Sequence, residues 1–272
     1  MSEGVSQGIR DCHRLGIVTS TTAMMNLPGV ETALSQALRE CPRLGLGVHL
    51  VLTAGRPLLP ASRVASLLLK NGMFPDEEGM IPRLSQIDPE QVRAEWNAQV
   101  DRFVSVTGRE PDHLDSHHHI SFLSTAAFEI MAEIASAHRT PIRFPEAEVA
   151  ADMLSDFPPI EAKLTIEANM ILARRHRLTH PDHLNRTFYG ENATLTVLLG
   201  VLENLPSGST EIMCHPAIVD PELRQNSVYN EGRALEYDIL TGEKVLETIR
   251  AKKIELIGFQ ELSPAGWAVH SS

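Results

Sequence analysis

The chain has 272 residues, 43% of them hydrophobic and 22% charged, which are ordinary globular values and exclude a disordered or collagen-like chain. Its 24 basic and 35 acidic residues give a net charge of −11, so nucleic acid is not an expected partner. No apolar run reaches the roughly 18 residues a membrane span needs, and no membrane association is expected.

The first ten residues show no basic-then-apolar signal pattern. The three cysteines (Cys12, Cys41 and Cys214) suit a reducing cytoplasm rather than a disulfide framework or a thiolate zinc site. The unusual count is histidine, at twelve, because histidine is both the commonest metal ligand and the neutral-pH acid or base.

In chain order, short apolar runs alternate with longer helical patterns. Strands are predicted at 16–25, 44–53, 112–118, 141–144, 210–215 and 254–259. Between them, helices are predicted at 28–41, 88–106, 124–138, 193–205 and 241–252. In the second of these, Val92, Trp96, Val100 and Phe103 recur at spacings of three and four, with Asp88-Pro89-Glu90 as a start signal and Gly108 as a stop. Alternating strand and helix implies a parallel sheet flanked by helices. The first strand is not followed by a glycine-rich phosphate loop, which disfavours an open nucleotide-binding sheet. The chain length suits a single (β/α) barrel, which typically takes about 250 residues. Residues 54–87 and 145–192 are rich in proline and polar residues and read as long loops, the first with a short helix at 64–70. Residues 1–262 are expected to form one barrel domain, and 263–272 a flexible tail.

The densest polar cluster is His113-Leu-Asp-Ser-His-His-His119. Strand alternation would put Asp115 and His117 on one face, with His119 joining them if the strand runs that far. Three consecutive histidines suit a metal or catalytic site at a strand end, against the plainer reading of a solvated turn. His49 sits in an apolar run with Gly47 two residues before it; it reads as a ligand or as a hydrogen-bonded core histidine. His215 ends another apolar run before Pro216, placed either to move a proton or to cap the strand. Arg143 calls for a carboxylate or an anionic substrate group if buried, or for a surface salt bridge. Tyr189, in Thr187-Phe-Tyr-Gly-Glu191, suits sugar stacking or a loop plugged into the core. His176, His180 and His183 show no ligand spacing and read as surface. Together the histidine strands suggest metal-assisted hydrolysis. A serine hydrolase elbow and a His-Glu-x-x-His helix are both absent.

Gly16-Ile-Val-Thr-Ser-Thr-Thr-Ala23, Gly47-Val-His-Leu-Val-Leu-Thr53, His113–His119, Thr187–Glu191 and Met213-Cys-His-Pro-Ala217, in that order, resemble the YdjC family, which includes chitooligosaccharide deacetylases. The stretches 220–229 and 236–241 add to the resemblance. It implies a (β/α) barrel of the glycoside hydrolase/deacetylase type and a cytoplasmic, metal-dependent hydrolase that removes acetyl groups from N-acetylated sugars. His49 and His117 would be metal ligands, with Mg²⁺ expected first and Zn²⁺ or Co²⁺ as alternatives. Asp115 and His215 would be catalytic, the first beside the metal and the second as general acid. Arg143 and Tyr189 would bind substrate, and His118 and His119 would support the site. The implied partner is a small carbohydrate, and a homodimer is compatible with the sequence.

Two departures stand out. The family opens with a strand ending in an Asp-Asp-Phe-Gly-type segment, which this sequence lacks, so the first strand is expected to be missing and the natural start to lie roughly a dozen residues upstream. Ser121 occupies a position where the family usually has a further histidine, so a hydrogen-bond partner is expected to be lost there. The missing aspartates motivate a second reading, a non-catalytic sugar or metal binder on the same barrel.

Overall fold

The computed structural model describes residues 2–145, 147–155 and 157–262; the expected tail at 263–272 lies outside them. The described chain is an α/β structure with parallel strand pairing, and none of its helices is long and apolar enough to cross a membrane. Its described residues divide into two compact units. One comprises residues 2–21, 28–45 and 181–261, and the other residues 22–27, 46–145, 147–155 and 157–180 with Leu262.

In the first unit, helix α1 (Glu3–Leu15) begins at Ser2, whose hydroxyl accepts the Val5 N–H, an ordinary N-cap. Gly4, Gly8 and Cys12 form a buried stripe of small residues at spacing four. The stripe lets the helix backbone lie directly on the segment that follows His215. A Cβ at Gly4 would stand 2.0 Å from the Ile218 carbonyl oxygen, and one at Gly8 would stand 2.7 Å from the Ala217 Cα. Asp220 fixes the contact by accepting the Gly4 N–H at 2.7 Å while capping helix α9 (Pro221–Asn226) through the Leu223 N–H. Helix α2 (Val30–Glu40) packs in the same unit, and the buried Arg10 reaches Glu40 at 3.1 Å.

Strands β4 (His183–Asn185) and β5 (Thr210–Ile212) pair in parallel. Helices α8 (Leu195–Glu203), α10 (Glu231–Leu240) and α11 (Glu243–Lys252) contribute Leu198, Leu202, Leu240 and Val245 to a core that also takes Cys12 and Phe188.

The second unit takes β3 (Leu114–Ser116) and all but the first residue of β2 (Gly45–Leu50), which belong to a three-stranded sheet of order β1 (Ser20–Ala23), β2, β3. The parallel register sets Val48 beside Leu114 and His49 beside Asp115. Residues 141–143 run on along β3, with Leu114 N–H donating to Pro141 and Arg143 N–H donating to Leu114, each at 2.9 Å. Helix α3 (Glu77–Met80) lies in the first long loop. Helix α4 (Pro89–Thr107) starts on an Asp88 cap and ends at Gly108, whose φ of +69° suits glycine. Its buried face carries Val92, Trp96, Val100 and Phe103, as their spacing predicted, together with Glu95 and Gln99. Gln99 bonds both the N–H and the C=O of Val51, just past β2, while Glu95 accepts the Leu58 and Leu59 N–H groups. The polar pair therefore ties the end of the His49 strand and the start of the next loop to one helix. Burial pushes the Glu95 carboxyl above its ordinary range. Helix α5 (Thr125–His138) starts on a Ser124 cap.

Several elements differ from the sequence expectation. Residues 145–192 are not one long loop: α6 (Ala147–Met153) and α7 (Pro159–Arg175) occupy half of the segment, and β4 follows. Alternating polar and apolar residues on a half-exposed helix give a weak pattern, which explains the loop reading. Helix α10 was also unforeseen, because Asn230 and Glu231 follow a turn-rich run without a strong apolar period. The expected strand at 254–259 is not assigned as one; its end is a short 3-10 turn at Phe259–Glu261.

Candidate active site

In the second unit the parallel register puts His49 and Asp115 side by side on neighbouring strands. His49 Nδ1 lies 2.6 Å from Asp115 Oδ1, and Arg143 Nη1 lies 2.8 Å from Asp115 Oδ2. Thr22 adds a longer hydroxyl contact to Asp115 Oδ2 at 3.4 Å. Asp115 is only 1% exposed. Burial by itself would raise its pKa, but the nearby His49 ring, the Arg143 guanidinium and the His49 hydrogen bond outweigh that effect and hold the carboxyl well below the usual range. The carboxylate thus accepts from His49 Nδ1–H and leaves the Nε2 lone pair pointing away from it, the arrangement in which a carboxylate orients a metal-binding imidazole.

His49 Nε2 then meets His117 Nδ1 at 3.3 Å, with the two rings edge-on at a centroid distance of 5.3 Å. His117 is brought there because β3 stops at Ser116 and the three histidines form a tight turn. His118 and His119 adopt φ values of +52° and +53°. This corrects the expected strand alternation through His119. His118 stacks on His117 at 3.9 Å, and burial lowers its pKa. His119 packs near Phe122 instead. The space beside Gly47 is also filled: a Cβ there would stand 2.4 Å from the His113 carbonyl oxygen, so Gly47 admits the neighbouring strand rather than a ligand. Ser121 has a partner after all, since its hydroxyl lies 2.7 Å from that of Ser116.

His49 Nε2 and His117 Nδ1 are two convergent nitrogen donors, the first oriented by a buried carboxylate, and they fit one side of a divalent-ion site. Among the described residues no group of three His, Cys, Asp or Glu side chains able to hold a metal ion is present.

The first unit contains the His215 neighbourhood. The ring of His215 lies 5.2 Å from Tyr189 and 6.4 Å from Tyr229, edge-on to both, and the two tyrosines are 4.6 Å apart. Tyr189 is 45% exposed while the adjacent Phe188 is fully buried, so one loop both plugs the core and presents a ring to solvent. Tyr229 donates its hydroxyl to Glu236 Oε1 at 2.6 Å, and Glu236 also accepts the His215 backbone N–H. Burial raises the Glu236 carboxyl, and burial together with the Glu236 bond raises the Tyr229 hydroxyl.

Tyr229, Arg233 and Glu236 had no assigned role in the sequence reading. The available signal was that Tyr229 and Glu236 lie in the stretches 220–229 and 236–241 that add to the family resemblance. The histidines read as surface are half-buried: His176 lies 3.2 Å from the Ser136 hydroxyl, His180 packs 4.9 Å from the Phe144 ring, and His183 begins β4.

Comparison with known proteins places this geometry in context. The family model described as YdjC-like protein matches residues 1–251. The chain is 33% identical over 265 residues to the chitooligosaccharide deacetylase of Proteus mirabilis, covering 96% of this chain and 94% of the relative. It is 33% identical over 261 residues to a carbohydrate deacetylase of Geobacillus stearothermophilus, with 96% and 93% covered. Among solved structures it is similar to an Enterococcus faecalis protein described, provisionally, as a cellobiose-phosphate cleavage protein, with a TM-score of 0.80, 31% identity, and 95% and 93% of the two chains covered. A family-model match over nearly the whole chain, together with relatives of this identity and coverage, means that the chain belongs to the YdjC-like protein family.

Proposed function

We propose that this protein is a metal-dependent carbohydrate deacetylase that removes acetyl groups from N-acetylated sugars, chito-oligosaccharides or related amino sugars. The names of its relatives support the activity. The observation that carries the metal dependence is the convergence of His49 Nε2 on His117 Nδ1 at 3.3 Å behind the His49–Asp115 bond. A divalent ion held by His49 and His117, Mg²⁺ first and Zn²⁺ or Co²⁺ as alternatives, would polarise the acetamide carbonyl and activate water.

Asp115 fixes the His49 tautomer and, with Arg143, keeps the imidazole pointed. In this reading Arg143 acts on substrate through Asp115 and His49, because its guanidinium is engaged with the carboxylate. His215 gives a proton to the leaving amine, and the exposed Tyr189 ring offers a stacking face to a sugar. His118 supports His117 by stacking on it. A closed (β/α) barrel and a cytoplasmic location belong to the same reading; the parallel strand pairs support the first, and the free thiols of Cys12, Cys41 and Cys214 the second.

The test is acetate release from N-acetylglucosamine oligomers with Mg²⁺, Zn²⁺ or Co²⁺, alongside calorimetric metal binding. The double variant His49→Ala/His117→Ala is expected to lose both activity and metal binding. An unchanged rate in that variant rejects the reading, and metal or sugar binding without turnover in the unaltered protein points to a non-catalytic binder.

A further inference from the structure

Helix α10 presents Arg233 and Glu236 three residues apart on one face. Between them they engage two polar groups of His215 and two of Tyr229. Glu236 accepts the His215 N–H and the Tyr229 hydroxyl. Arg233 donates to the His215 carbonyl at 3.1 Å and to the Tyr229 carbonyl at 2.9 Å. The Tyr229 hydroxyl in turn accepts the Gly190 N–H at 3.2 Å, which ties in the loop that carries Tyr189. Gly232, just before Arg233, makes room for Tyr229, because a Cβ there would stand 2.2 Å from the tyrosine Cε2. Three neighbouring positions of one helix thus serve the same two residues.

Packing alone does not account for this choice of residues. Buried charged groups can often be replaced by apolar side chains of similar volume with no loss of stability. Here the buried carboxylate, 0% exposed, is spent on the backbone of a histidine and on the hydroxyl of a tyrosine beside it. What it gains is direction. Both backbone groups of His215 are fixed, and the Tyr189 loop is held to the same carboxylate through Tyr229.

We propose that Arg233 and Glu236 are positioning residues that clamp His215 and, through Tyr229, the Tyr189 loop, so that the proton donor and the sugar-stacking ring are set by one helix. The assignment rests on the functional reading above, in which His215 supplies the proton. Loosening the clamp should reduce turnover more than substrate affinity, since small misplacements of a catalytic group are costly.

The test uses the 272-residue chain and compares Glu236→Gln, Tyr229→Phe and the double variant. A glutamine keeps the volume but has one acceptor oxygen for two donors; the phenylalanine removes only the hydroxyl. Acetate release from N-acetylglucosamine oligomers is expected to show kcat lowered about tenfold in Glu236→Gln with KM little changed. The double variant should be no worse than Glu236→Gln alone, because the hydroxyl acts through the carboxylate. Amide hydrogen exchange should be faster at His215 in Glu236→Gln and at Gly190 in Tyr229→Phe, with the rest of the chain protected as before.

An unchanged kcat in Glu236→Gln, or additive losses in the double variant, overturns the proposal. If the unaltered protein releases no acetate, the functional reading fails, and the exchange data alone decide the clamp. Amides of His215 and Gly190 that are protected in the unaltered protein and open in the variants uphold it; amides that are already unprotected overturn it.

Discussion

Replacing Asp115 by asparagine tests the centre of the proposed site. The substitution preserves shape and removes one charge. In the unaltered protein the carboxylate is 1% exposed and holds Arg143 at 2.8 Å and His49 at 2.6 Å. Breaking a buried, hydrogen-bonded charge pair costs about 3–5 kcal/mol. Asparagine can still accept from His49 Nδ1–H, so the lower end, about 3 kcal/mol, is expected. For a chain of this size that corresponds to a fall in Tm of about 6–12 °C, readable by calorimetry or by chemical denaturation.

The sign of the pH dependence follows from the depressed carboxyl. A group whose folded pKa lies below its ordinary value of 3.8 contributes stability that is present above that value and is lost as pH falls towards the folded pKa. The gap between Asp115→Asn and the unaltered protein should therefore be full at pH 6–7 and narrow below about pH 4. A cycle with Arg143→Met should show coupling, the double variant being less destabilised than the sum of the single ones. A loss under about 0.5 kcal/mol, the range of ordinary surface changes, or strict additivity with Arg143→Met, would refute the reasoning.

Two further outcomes test the scaffold around the two clusters. Gly47→Ala drives a methyl group against the His113 carbonyl oxygen, a backbone atom that cannot swing aside; a loss of about 1–3 kcal/mol is expected, with weakened metal binding as β2 shifts, measured by urea denaturation and calorimetry. Asp220→Ala removes the acceptor of both the Leu223 and Gly4 N–H groups; a loss of about 1–2 kcal/mol is expected, with faster amide exchange at Gly4, while a variant as stable as the parent would show that the α1 contact does not depend on this carboxylate.

The legible parts of the site were those with a strand period and a chemical oddity. His49 in the run Leu44–Leu52 and Asp115 in the run Asp112–His118 stood out because polar groups that interrupt buried strands need partners. Their direct pairing did not follow from either run, since register depends on how two distant strands align. Arg143 was left between a buried pair and a surface bridge, and only the course of residues 141–143 beside β3 settled it in favour of Asp115. Glu236 was marked only by its place in the family-like stretch 236–241, with no role attached. A glutamate on an amphipathic helix ordinarily faces water, and its burial becomes visible only when the His215 segment lies over it.

The sequence by itself determined the α/β character, the helix boundaries at Asp88 and Gly108, the histidines worth attention and the family motifs, because these depend on local periodicity, capping chemistry and residue type. Tertiary structure alone decided which nitrogen of His49 faces Asp115, where the three-histidine turn leaves the strand, why Gly47 and Gly232 must be small, and how α10 grips His215 and Tyr229. The His49–Asp115 and His215–Glu236 contacts join residues 66 and 21 positions apart, and close packing rather than local preference fixes such contacts.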